Sequence, residues 1–104
     1  MQNLLEEILK QCREAAKSMI TEEAEAFISD TTSFLNTTRD DLHEWTRQFG
    51  QGEIDTDDLE WLMDMKKDVA EMQALKCKGI AKIRIEELQK QMLSIVTSAI
   101  SSTI

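Results

Sequence analysis

The sequence predicts an all-α protein built as a long antiparallel helical hairpin, and three observations carry that prediction. The 104 residues contain no proline and only three glycines, two of them together at Gly50 and Gly52. Sheet folds need many Gly/Pro turns, and βαβ units need several loops, so both are disfavoured. Apolar residues then recur at helical spacing on either side of that one punctuation mark.

The first helix is expected over about 3–49. Its stripe runs Leu5, Ile8, Cys12, Ala16, Ile20, Ala24, Phe27, Phe34, Leu42, Trp45, Phe49, with Thr31 and Thr38 filling two gaps. The average step is about 3.67 residues, the period of a nearly straight helix. The stretch SDTTSFLNTT (29–38) resists, because Ser, Thr, Asp and Asn side chains compete for backbone hydrogen bonds. The stripe keeps its phase there, so we read the helix as continuous. The alternative is a break near 30–38 with a new helix opened by a Thr38/Asp41 capping box.

Gly50 suits a left-handed position closing this helix. Downstream, Asp55 can cap the next one, Asp57 and Asp58 lie in its first turn, and Ile54 can staple onto Leu59. The second helix is expected over about 56–101, with Leu59, Leu62, Met65, Val69, Met72, Cys77, Ile80, Ile83, Leu88, Met92, Ile95 and Ala99 on its stripe. Each helix would be about 65–70 Å long. Folding back at Gln51 sets Glu22, Glu23 and Glu25 beside Lys76, Lys78 and Lys82.

Two helices side by side bury one seam each, whereas both stripes carry extra apolar residues, among them Ala70, Ala74, Leu75, Ala81 and Ile85. Exposed patches of that size are rare on monomers. We therefore expect two hairpins to pair as a homodimeric four-helix bundle with coiled-coil-like packing. The oligomer or partner interface would be Val69, Met72, Leu75, Ile80, Ile83, Leu88, Met92 and Ile95. Gly79 would permit close helix approach there.

The formal net charge is −8 and the pI about 4.6. This excludes the broad basic footprint of a nucleic-acid binder. The N-terminus lacks the basic and apolar regions of a signal peptide, and the longest uncharged run, Gln91 to Ile104, is too short and too polar to span a membrane. Cys12 and Cys77 lie on core stripes without CxxC spacing, so buried, reduced thiols and a cytoplasmic location are expected. Trp45, Phe49, Trp61, Leu42 and Leu62 should close the end of the bundle near the turn.

His43 follows Asp40 at i, i+3, the spacing of di-metal helical bundles, but facing carboxylates are missing. The aspartates at 55–58 lack the spacing of a calcium loop. Phosphate loops, zinc spacings and nucleophile–base pairs are absent. We expect no enzyme and no cofactor. The expected function is a non-enzymatic interaction or assembly protein that self-associates and binds a protein partner, so far unspecified, through apolar helix faces. The alternatives are a metal- or ligand-binding bundle and a small acidic regulator or chaperone, of prophage-associated kind, that sequesters a basic partner.

Overall fold

Hydroxyl side chains carry the central helix through the stretch that most resists it. Helix α2 (Thr21–Gly50) is unbroken. Thr31, Thr38 and Thr46 are buried, and each donates its hydroxyl to the carbonyl four residues earlier, on Phe27, Phe34 and Leu42, at 2.7–2.8 Å. Thr32 and Thr37 do the same on the exposed side. The hydroxyls thus turn back onto their own helix instead of opening a turn. The computed structural model describes residues 2–102, and among them regular structure is helical throughout.

Both expected long helices are broken. The first divides into α1 (Gln2–Ala16) and α2, joined by a turn at 17–20. The second divides into α3 (Thr56–Met65), α4 (Gln73–Cys77) and α5 (Lys82–Ser102). Each boundary has a local cause. The amides of Glu53 and Gly52 donate to the carbonyls of Gln48 and Phe49, a Schellman closure of α2 whose left-handed residue is Gly52 (φ 76°) and not Gly50. Asp55 accepts from the amide of Asp58 while Asp58 accepts from that of Asp55, a capping box opening α3. Ile80 and Gly79 donate to Leu75 and Lys76 in a second Schellman closure, with Gly79 at φ 73°. A Cβ on Gly79 would meet nothing within 4 Å, so this glycine serves backbone conformation and not close helix approach.

Between α3 and α4 the chain turns through Met72, left-handed at φ 55°. Asp30, buried on α2, fixes the restart: its Oδ1 and Oδ2 accept from the amides of Ala74 and Leu75 at 2.8 and 2.9 Å. Glu23 accepts from Nε and Nη2 of Arg84 at 3.0 and 2.7 Å, which pins the start of α5 to the start of α2. Gln89 then donates to the carbonyls of Lys67 and Ala70, so α5 runs back along the 66–72 segment and α3.

The result is a set of helices that fold back on one another. α1 returns along α2, α5 returns along α3 and packs on both α1 and α2, and the longest dimension is 42 Å instead of 65–70 Å. The radius of gyration is 13.4 Å. The register also differs from one centred on Gln51: Asp41 pairs with Lys66 at 2.7 Å where Trp61 was expected, and Glu23 with Arg84 where Gly79 was expected. One core takes Leu4, Ile8 and Cys12 from α1, Phe27, Phe34 and Leu42 from α2, and Leu59 and Met63 from α3. It also takes Leu75 from α4 and Leu88, Met92, Val96 and Ile100 from α5.

Two substitutions test these causes. Asp30→Ala strands two amide donors and should lower stability by about 2–4 kcal/mol, read as a lower urea midpoint and faster exchange of the amides at 74 and 75. Asp30→Asn, which keeps one acceptor oxygen, should lose less. Gly79→Ala should destabilise by about 1 kcal/mol despite the open space around it. Gly50→Ala, inside α2 at negative φ, should be neutral or stabilising. Equal effects at the two glycines would contradict the assignment.

Candidate functional site

Helix α3 buries one face and leaves the other without cover. Leu59 and Met63 are in the core, whereas Trp61 is 64% exposed and Met65 59% exposed. These two stand four residues apart and so share a face. Asp57 and Asp58, four and three residues before Trp61, and Asp64, three residues after it, surround the indole on the same surface. From 55 to 64 the chain carries five acids and no cation. The capping box and the core contacts of Leu59 and Met63 hold this helix in place, so the tryptophan is presented on a fixed support. Trp45 and Leu42 are buried in the core near the turn as expected, but Trp61 does not join them.

A second surface forms where α4 meets α5. Lys76, Lys78 and Lys82 are exposed there and form no ion pair among the described residues. Ile83 is 75% exposed beside them, and Ile20, in the turn before α2, is 68% exposed at the same end of α2. Lys76, Lys78 and Lys82 do not pair with Glu22, Glu23 and Glu25 as the expected register has it; Arg84 takes Glu23 instead. Against this elbow lies a groove of about 520 Å³, floored by Met72, Ile80 and Ile85.

The expected interface residues divide in two. Met72, Leu75, Leu88 and Met92 are buried in the chain's own core. Val69 and Ile83 are exposed, and Ile80 and Ile95 are half-buried against the core. Residue types on a stripe could not separate these groups, because the turns at 66–72 and 78–81 re-aim the stripe partway along it. Trp61 was also misassigned; its signal was the run of aspartates around it, a composition that marks a solvent-facing surface.

The thiols also separate. Cys12 is buried, and burial pushes its pKa up, partly offset by a hydrogen bond with Thr31; Cys77 is exposed between Lys76 and Lys78, not buried as its place on the stripe suggested. The Nε2 of His43 is buried without a hydrogen-bond partner among the described residues. No group of three His, Cys, Asp or Glu side chains among the described residues could hold a metal ion. No described helix is long and apolar enough to cross a membrane. No protein-family model, curated protein or solved structure matches the chain.

A thiol titration checks the placement of both cysteines. The folded protein should react promptly at Cys77 alone, and Cys12 should react only when denaturant opens the core. Prompt reaction of both thiols in the native state would contradict the burial of Cys12 under α2.

Proposed function

We propose that this chain is a non-enzymatic helical interaction protein, which self-associates and docks on protein partners through exposed apolar side chains set in charged surroundings. The observation that supports the reading most is the α3 face: Trp61 and Met65, large, exposed and aligned, ringed by Asp57, Asp58 and Asp64. Tryptophan at the centre of a patch with a polar rim is the composition of an interaction hot spot. Burying both side chains would contribute roughly 2–3 kcal/mol each before the cost of association is subtracted.

The same acids favour the acidic-regulator reading as a special case, in which the partner's surface is basic. Self-association through the full apolar stripe, as a four-helix dimer of open hairpins, has less support, because four of its eight residues are already covered within the chain.

The test compares immobilised wild-type protein with Trp61→Ala/Met65→Ala. Both residues are exposed, so the double variant should keep its helicity and melting temperature. Wild type should retain protein that the variant loses, and raised salt should weaken the retention. Identical sets of bound protein on the two surfaces would overturn the reading.

A further inference from the structure

Two exposed apolar surfaces of opposite charge stand at opposite ends of this molecule. The α3 face carries Trp61 and Met65 among aspartates; the elbow between α4 and α5 carries Ile83 beside Lys76, Lys78 and Lys82. Within one copy they cannot meet. The elbow is tied to α2 at Glu23 through Arg84, and the end of α3 is tied to it at Asp41 through Lys66. The anchors stand eighteen positions apart on one unbroken helix, about 27 Å. Each surface is thus left with an unmatched charge and an unmatched apolar side chain, and each has the sign the other lacks.

We propose that the occupant of the α3 face is a second copy of this chain, docked head to tail through its α4–α5 elbow. This rests on the reading of α3 as a docking face and names its partner. Trp61 of one copy enters the groove of the next, whose floor of Met72, Ile80 and Ile85 is apolar. Lys76 and Lys82 stand on the groove's rim, where they meet the aspartates around Trp61. The rest of the lining mixes Asp68, Glu71 and Glu86 with Lys67 and Gln89, and its three acids repel the aspartates around Trp61, which favours approach from the side of Lys76 and Lys82. Such an interface uses different patches on the two copies. It is heterologous, and it leaves a free α3 face at one end and a free elbow at the other.

That asymmetry supplies the test. One variant disables the α3 face (Trp61→Glu/Met65→Glu), and another reverses the elbow (Lys76→Glu/Lys78→Glu/Lys82→Glu). Sedimentation of wild type at about 0.1 M salt, where screening acts over about 10 Å, should show mass rising with concentration beyond 11.9 kDa. Each variant alone should stay monomeric. Their mixture should form a one-to-one dimer that does not grow further, because one copy brings the intact elbow and the other the intact α3 face. Circular dichroism checks that each variant is folded; where one is not, Trp61→Ala/Met65→Ala or the three Lys→Gln changes replace it. Monomeric wild type throughout, association of either variant alone, or no dimer in the mixture would overturn the head-to-tail assignment. If wild type is monomeric yet still retains another protein through Trp61, the second-copy assignment fails and the interaction reading stands. Loss of both removes the two together.

Discussion

One carboxylate determines the course of the second half of the chain. Asp30 sits on α2 and receives the first free amides of α4 across more than forty residues of sequence. Without it, Ala74 and Leu75 would leave helix-opening donors in a partly buried place, a cost of about 1–3 kcal/mol for each unmet group. Meeting them requires the chain to leave α3, pass through a left-handed Met72 and restart at the level of Asp30. A left-handed non-glycine residue costs roughly 1–2 kcal/mol, which the two hydrogen bonds and the burial of the Met72 side chain offset. Once α4 is fixed there, Gly79 ends it, Arg84 reaches Glu23, and α5 has only the return path along α3.

The helical class, the continuity of α2 and the opening of α3 at Asp55 were legible in the sequence because each has a local cause. Thr31 and Thr38 bond within their own helix, and Asp55 and Asp58 cap each other. The breaks were less legible. The apolar stripe passes through 66–72 without losing phase, because the turn there packs on the same core as the helices around it: Ala70 and Met72 are buried alongside the helical core residues. Periodicity reports which residues face the core and does not report whether the backbone between them is helical. Gly79 carried a usable signal, since glycine after Lys76 and Lys78 is a helix stop. The cap that makes the stop at 66–72 necessary, Asp30, is remote in sequence and could not be read locally. The turn at 17–20 is marked only by Arg13 in the last turn of one helix and Glu22 and Glu23 in the first turn of the next, with no glycine or proline between.

The candidate surfaces follow from the same geometry. An open hairpin would leave two seams uncovered and would call for a second hairpin to cover them. The breaks instead let α1 pack on α2 and let α5 pack on α1, α2 and α3, so the apolar residues of α5 are covered internally. Much of the apolar surface that the sequence expectation assigned to a second chain is covered by the chain's own helices. What remains outside is much smaller and is distributed differently. Trp61 and Met65 lie on the side of α3 turned away from the core, and Ile83 lies on the first turn of α5, before that helix enters the core. Neither position is distinguished by the stripe, on which Met65 and Ile83 look the same as Leu59 and Leu88.

The net charge of −8 bears on how copies of such a molecule could stack. Total charge alone argues against self-association, since every added copy repels the others. The repulsion acts at the spacing of molecular centres, and the molecule is 42 Å long and about 20 Å thick. Screening at physiological salt acts over about 8 Å, so centre-to-centre repulsion is largely suppressed while contacts between an aspartate and a lysine are not. In the proposed head-to-tail assembly, charge would therefore select the orientation of neighbours more than it limits their number. In a head-to-tail array the limit is set by rotation. If successive copies turn through a divisor of a full circle without rising, the array closes as a ring, and otherwise it continues as a filament. The rotation between proposed neighbours would be set by how the α3 face of one copy seats in the groove of the next. The orientation of the Trp61 helix in the groove is then the one variable that decides between the two forms.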